Sequence, residues 1–481
     1  MRSIISILLC LGGIASAQEM KVEELYSKHC SGCHGAKFEG GVGGSLVDGQ
    51  WKRGSSDAEI FKSIAKGNLQ MGMTPWEGIL SADQIRSMVI FLREKEKQTL
   101  AKGMAFPKPS PDTVTKTELH GYKIETLVEN GLKNPWAIAF LPDGRKLVTE
   151  KSGNLRFLTA EGKLDPKIIE GTPEVIEHGQ GGMLEVALHP EFSKNGWVYL
   201  GFTDGTREKN DKGKDDIRCI TSVVRGKIED HQWKDQEWIY RADPKFRSDS
   251  GAHFGTRFVL DKGYIYFVIG ERGGNYEAQR LSRPAGKIHR LHDDGRVPED
   301  NPFVNTKDAL PSIWSYGHRN PQGLTMDPRD GALYATEHGP RGGDELNLIE
   351  PGKNYGWPVA TLGMDYGGTP FSYDLDGKRV AAVTAKEGIE QPIAAWVPSI
   401  AVCGLDFYTG AKFPQWNNDL LVGALAQQEV RRLRVIDKKV VSQEIILKNI
   451  GRVRDVATGP DGLCYVILNG PDRIVRLVPA D

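Results

Sequence analysis

From Tyr122 to the end of the chain, apolar residues alternate with polar ones in short runs broken by Asp-Gly and Pro-Asp-Gly turns, and helical periodicity is scarce. Alternation with a period of two predicts half-buried strands. Six stretches can be laid under one another: PWAIAFLPDGRKLVTEKSGNLRFL, GGMLEVALHPEFSKNGWVYLGFTD, FGTRFVLDKGYIYFVIGERGG, PQGLTMDPRDGALYATEHGP, CGLDFYTGAKFPQWNNDLLVGAL and RDVATGPDGLCYVILNGPDRIVRL. Each reads as a strand, a turn, and a second strand whose end turns polar or Gly-rich. A spacing of about 45 to 85 residues leaves each copy room for a four-stranded sheet, so the pattern predicts an all-β six-bladed β-propeller over residues 121–481. The longest loops are expected at TDGTREKNDKGKDDIRC and between Val359 and Pro392. In a propeller such loops gather at the mouth of the central channel.

Upstream, the period changes. SDAEIFKSIAKG and SADQIRSMVIFLREKEK have helical spacing, each behind a capping Ser or Asp, and a Gly-rich loop, FEGGVGGSL, precedes them. Residues 19–95 therefore predict a small all-α domain. The following stretch is charged and then rich in Pro, Ser and Thr, which predicts a linker over 96–120. At the start, the apolar run from Ile4 to Leu11 and Ala15-Ser16-Ala17 read as a secretory signal over 1–17, too short to cross a bilayer as a helix. The expected location is periplasmic or otherwise exported, with no membrane insertion.

The charge balance changes the picture only by exclusion. With 62 basic and 63 acidic side chains the formal net charge is -1, so no summed field favours nucleic acid or an anionic membrane. Of six cysteines, Cys10 leaves with the signal and Cys30 and Cys33 belong to a motif. Cys219, Cys403 and Cys464 allow at most one disulfide, of unspecified pairing, and serve equally well as small buried apolar residues.

The motif is HCSGCHG at 29 to 35. Cys-x-x-Cys-His places two thiols and an imidazole on one turn, the arrangement that clamps a c-type haem. A zinc ribbon would need a second cysteine pair. The segment resembles a class I cytochrome c. That resemblance implies haem c with thioethers to Cys30 and Cys33, His34 as proximal iron ligand, and Met73 of MTPW on the other face, with Met71 the competing thioether. Thr74 stands where many relatives place proline.

In the propeller, HGQGGML, GAHFGTRF, SYGHRNPQGL, EHGPRGGDELNLI and GRVRDV are too polar for the strand ends they occupy. Arg452 and Arg454 share one face of a strand. Converging with Arg319 on one channel, they would make a pocket for a small polyanion. The alternative is that these arginines pair with Asp455, Asp327 or Glu345 as structural bridges.

These stretches, in this order, resemble the soluble PQQ-dependent glucose and aldose sugar dehydrogenases, six-bladed propellers that oxidise sugar hydroxyls. The resemblance implies His253 as general base and Gln180 as a contact to cofactor and substrate. It implies a polar clamp of Arg319, Asn320 and Gln322, with Arg319 also near the reacting carbonyl. Arg452 and Arg454 would hold the PQQ carboxylates, and Ser399 falls where the family often has threonine. The carbonyls of Gly339 and Pro340 would hold a bridging calcium, with Asp344 and Glu345 the nearest carboxylates. Two departures, Ala252 and Ala426 where the glucose-oxidising branch has aspartate and lysine, leave the sugar open. His178 and His318 receive no role, and Trp51, Trp136, Trp197, Trp314, Trp357 and Trp396 are expected in the core.

The implied activity is oxidation of an aldose at C1 to its lactone, with electrons passing to the attached haem and on to a downstream respiratory acceptor. A calcium-dependent propeller lactonase and a non-catalytic redox-docking propeller are the alternatives.

Overall fold

The computed structural model describes residues 20–103 and 112–480. The expected signal at 1–17 lies outside the described residues. Four helices open the chain: α1 (Val22–His29), α2 (Ser31–His34), α3 (Asp57–Lys66) and α4 (Ala82–Gly103). Helix α3 starts with a capping box in which Ser56 and Glu59 satisfy each other's backbone N–H, and Ser81 and Gln84 do the same before α4. The apolar faces of α1, α3 and α4 bury Leu25, Tyr26, Ile60, Ile64, Ile85 and Val89 against one another. Helix α4 runs eight residues past the boundary expected at 95, because the charged stretch after Phe91 continues helically. The far end of the expected linker is also structured: Thr115–Lys116 pairs antiparallel with Gly121–Val128.

The rest of the chain forms six antiparallel sheets in a ring, a six-bladed propeller. Each of the six repeated phrases supplies the first two strands of one blade, as in Pro135–Phe140 with Lys146–Glu150 and Arg452–Thr458 with Cys464–Asn469. The last blade closes the ring. Its inner three strands come from the C-terminus, and Gly121–Val128 pairs with Arg473–Pro479 on its outer side. The apolar clusters straddle neighbouring blades, as where Trp136 and Phe157 of the first blade pack with Val198 and Leu200 of the second. No blade buries its faces alone.

One expected loop is not a loop. TDGTREKNDKGKDDIRC forms most of a long hairpin in which Val198–Lys209 pairs with Asp215–Glu229 through to Lys209↔Asp215. Its outer half is exposed on both faces, so no apolar alternation marks it. The segment between 350 and 393 is largely irregular and carries one short hairpin, Ser372–Leu375 with Lys378–Ala381.

The helical domain rests on this segment and on the loop at 339–343. Arg341 reaches both Oε atoms of Glu94 (2.9 and 2.7 Å) and Oε1 of Glu23 (3.0 Å). The Val22 N–H donates to Gly368 O, and Met364 is buried among the helical domain's apolar residues. Cys219, Cys403 and Cys464 are buried free thiols, so the apolar reading of these residues holds and no disulfide joins them.

Candidate functional site

The polar ends of the innermost strands meet in one hydrogen-bonded chain at the channel mouth. Arg454 Nη1 donates to Gln322 Oε1 (3.3 Å), Gln322 Nε2 to Asn320 Oδ1 (3.2 Å), and the Gly255 N–H to the same Asn320 oxygen (3.2 Å). The His253 N–H donates to Gln180 Oε1 (2.9 Å). Four blades thus position five of the residues singled out in the sequence.

His253 has φ of 56°, a left-handed conformation that a non-glycine residue holds only when its surroundings enforce it. Its Nδ1 bonds the carboxylate of Glu271, which is fully buried and also accepts the Asn275 N–H. A carboxylate there fixes the Nδ1–H tautomer and leaves Nε2 as an acceptor. Burial lowers the His253 pKa, Glu271 opposes that shift, and Arg319 adds to it. The imidazole is therefore neutral at pH 7 and ready to take a proton. Sequence reasoning missed Glu271, a single acid in the Gly-rich IGERGG ending of its strand.

Arg319 is buried. Its Nη1 donates to the carbonyls of His338 (3.2 Å) and Gly339 (2.9 Å), and its Nη2 reaches the Tyr366 hydroxyl (3.4 Å). The guanidinium lies 5.1 Å from the Trp357 ring centre, and Nε has no partner. Arg454 lies 4.0 Å from the Trp136 ring centre, donates from Nε to Asn469 Oδ1 (2.9 Å), and faces the Cys403 thiol (3.6 Å). Burial lowers its pKa. Arg452 is exposed on the same face, and both arginines line a cavity of about 250 Å³ with Trp136, Gln180, Gln322 and His338. Trp136 and Trp357 are buried as expected, but they also form cation-facing walls of this centre.

Asp455, Asp327 and Glu345, the carboxylates that could have neutralised these arginines, are engaged elsewhere. Asp455 and Glu185 pair with Arg257 beneath the cavity (3.2 and 3.0 Å), Asp327 pairs with Arg329, and Glu345 accepts from Asn347. Among the described residues, none of Arg319, Arg452 and Arg454 has a carboxylate partner. Cations removed from water without counter-charges, such as Arg319 and Arg454, are costly, and together with the exposed Arg452 they fit a ligand that brings the anions with it. The polycarboxylate PQQ meets that description.

Calcium fits in part. Pro340 O accepts only a long bond from Ser399 Oγ (3.3 Å), and Gly339 O accepts from Arg319. The two carboxylates do not fit. Asp344 accepts four backbone N–H groups, those of Gly339, Ile400, Ala401 and Val402. Glu345 lies opposite Glu337 on the next strand, and burial together with that neighbour pushes its carboxyl up to about 8. Asp344 is taken up by the loop's amides and Glu345 by Asn347 beside Glu337, so as they stand neither carboxylate is free to hold a cation. Among the described residues no cluster of three or more His, Cys, Asp or Glu side chains could hold a metal ion.

In the helical domain, His34 Nδ1 bonds Gly44 O (2.8 Å), which frees Nε2 for a metal. A Cβ on Gly43 would stand 2.7 Å from the His34 ring, so glycine keeps that imidazole in place. The Cys30 and Cys33 thiols are free. Val42, Leu69 and Met71 are 92, 77 and 78 % exposed, unusual for apolar side chains beside a folded core and suited to covering an apolar macrocycle. Met73 instead packs partly buried against the core together with Trp76. These residues fit a c-type haem. His318 bonds Ser315 and Glu337 and stacks on Tyr355, while His178 bonds Asp249 O. Both serve the fold.

Both parts of the chain match known families. Residues 132–476 match the glucose/sorbosone dehydrogenase family, and residues 17–92 match the cytochrome c oxidase cbb3-type subunit III family. The aldose sugar dehydrogenase of Escherichia coli (strain K12) is 43 % identical over 71 % of this chain and 88 % of its own length. Its apo crystal structure superposes with a TM-score of 0.66 at 38 % identity, covering 75 % of this chain and all of that one. The PQQ-bound aldose sugar dehydrogenase of Streptomyces coelicolor superposes with a TM-score of 0.58 at 26 % identity, covering 74 % of this chain and 98 % of that one. At the other end, cytochrome c55X of Pseudomonas aeruginosa is 30 % identical over 16 % of this chain and 66 % of its own length. With its propeller matched nearly end to end and a cytochrome c region ahead of it, the chain belongs to the glucose/sorbosone dehydrogenase family.

Proposed function

We propose that this protein oxidises an aldose at its C1 hydroxyl to the lactone, with PQQ bound at the channel mouth, and delivers the electrons to its own c-type haem. The observation that carries this reading is a cavity lined by Arg452 and Arg454, with Arg319 close by on the His338 and Gly339 carbonyls and none of the three having a carboxylate partner among the described residues, beside a neutral, oriented histidine. Arg452 and Arg454 bind the cofactor's carboxylates, while Gln322 and Asn320 hold Arg454 and the His253 loop in register.

His253 Nε2 accepts the hydroxyl proton of the sugar, and the Glu271 carboxylate stabilises the imidazolium that results. A positioned base of this kind contributes typically about 10² to 10⁴ in rate. Arg319 donates toward the oxygen on which negative charge develops, in a site walled by Trp357. When bound, PQQ supplies the two-electron acceptor that takes the hydride from C1, and a calcium ion on the Gly339 and Pro340 carbonyls would polarise it. Cys30, Cys33 and His34 would hold the haem, with Met73, packed against the core, as the thioether donor to its iron.

Ser399 bonds Pro340 O and steadies the same loop. Export to the periplasm accords with the N-terminal apolar run and with haem attachment, and a respiratory acceptor takes the electrons onward. The lactonase alternative needs a carboxylate-built calcium floor, and the channel instead holds Arg257 between Glu185 and Asp455.

The test is reconstitution of the haem-loaded full chain with PQQ and Ca²⁺, followed by a panel of aldoses and spectroscopy of the haem. Reduction that needs sugar, PQQ and an intact His253 is the expected result. A haem that stays oxidised with every aldose overturns the reading.

A further inference from the structure

A second cavity of about 590 Å³ adjoins the first, sharing His338 and Ala401 as wall residues. One side is propeller: Gly339, Pro340, Tyr366, Ser399 and Ala426. The other is helix α4, which contributes Glu94, Lys97, Gln98 and Ala101. The Arg341 contacts to Glu94 fix that helix, and Lys97 projects one turn further along it.

Lys97 is only partly exposed, and among the described residues it makes no hydrogen bond or ion pair. Burial pushes its pKa down to about 8, so the ammonium remains charged at neutral pH while largely removed from water. The carboxylates that could answer it are taken. Glu429 pairs with Arg431 (2.7 Å) and Lys448 (3.0 Å), and Asp344 accepts four backbone N–H groups. The opposite wall at Ser399 and Ala426 is made of short side chains.

We propose that Lys97, carried by the helical domain, is a binding residue of the dehydrogenase site, donating into this cavity to the oxygens of the bound cofactor or sugar. The sugar-oxidising centre is then built by both domains, and the helical domain helps select what it oxidises. This inference rests on the function proposed above. An unpaired, partly desolvated ammonium makes its strongest bonds to carboxylate or closely spaced hydroxyl oxygens, and both PQQ and an aldose present such groups.

The test uses the full-length, haem-loaded protein and its Lys97→Met, Lys97→Gln and Lys97→Arg variants. PQQ binding is read by quenching of tryptophan fluorescence, and sugar oxidation by a dye that accepts electrons without the haem. Loss of one charge-assisted bond predicts about a tenfold or larger rise in either the PQQ Kd or the sugar KM for Lys97→Met, with Lys97→Arg recovering part of it. A rise in Kd assigns Lys97 to the cofactor, and a rise in KM at unchanged Kd assigns it to the sugar. The haem spectrum and Tm should match wild type, and Lys97→Gln replaces Lys97→Met if the latter does not fold. Both constants within twofold of wild type overturn the assignment of Lys97 while leaving the proposed function standing. A wild-type protein that neither binds PQQ nor oxidises any aldose overturns both.

Discussion

At the scale of single residues, the reaction depends on how His253 is held. Glu271 raises its pKa against the effect of burial, so replacing the carboxylate lowers that pKa further. Glu271→Gln should therefore shift the acidic limb of the kcat/KM profile to lower pH, because the imidazole stays deprotonated in more acid solution. It should also lower kcat, because the imidazolium loses its counter-charge. Dye-linked rates measured across pH check both effects. Asp344→Ala leaves four backbone N–H groups without their acceptor, which should cost roughly 2 to 4 kcal/mol of stability and loosen the Gly339–Pro340 loop. Chemical denaturation measures the first effect, and a higher Ca²⁺ concentration needed for half-maximal activity reports the second.

His253, Arg319 and the RVR pair could be picked out from sequence because polar residues stood where a strand end should be apolar. Glu271 could not, because a single acid in a Gly-rich turn reads as solvated until the fold buries it. Asp344 and Glu345 look different once folded, for a related reason. Their spacing near Gly339 and Pro340 is compatible with a metal loop, but only tertiary structure shows that one binds backbone amides and the other faces Glu337.

Among secondary elements, the strand-turn-strand phrase was readable because its strands are short, apolar and ended by Asp-Gly turns, although packing between neighbouring blades buries both faces of most of them rather than the one face that alternation predicts. The hairpin of Val198–Lys209 and Asp215–Glu229 escaped because its outer half projects into solvent and carries charges on both faces. Replacing its five-residue tip, 210–214, with Asn-Gly should keep the register and leave Tm and dye-linked kcat unchanged, since the tip is exposed throughout. Calorimetry and a steady-state assay on the shortened protein check this. Helix α4 ran past its expected end because Glu, Lys and Gln are good helix formers and no Gly or Pro intervenes before Gly103. The charge that suggested a linker is the solvated and propeller-facing surface of one continuous helix.

For the whole molecule, the helical domain and the propeller meet in one contact, across which the proposed electron transfer would run. Arg341 follows directly after the Gly339–Pro340 carbonyls and bridges to Glu94 and Glu23, so the loop that would hold the cofactor's metal also anchors the haem domain. Glu23→Lys sets two cations against each other at the edge of this interface. It should slow sugar-dependent haem reduction several-fold and make it sensitive to ionic strength, while dye-linked turnover stays at the wild-type rate. Parallel haem and dye assays separate the two.

The central claim is that electrons taken from the sugar pass within one molecule from the channel mouth to the haem held by Cys30, Cys33 and His34. It is tested most directly by mixing the PQQ- and Ca²⁺-loaded full chain with excess aldose, without oxygen or added acceptor, and following haem reduction over a wide range of protein concentration. The expected result is a reduction rate constant that does not change with protein concentration. A rate constant that rises in proportion to protein concentration, or no reduction at all, would contradict it.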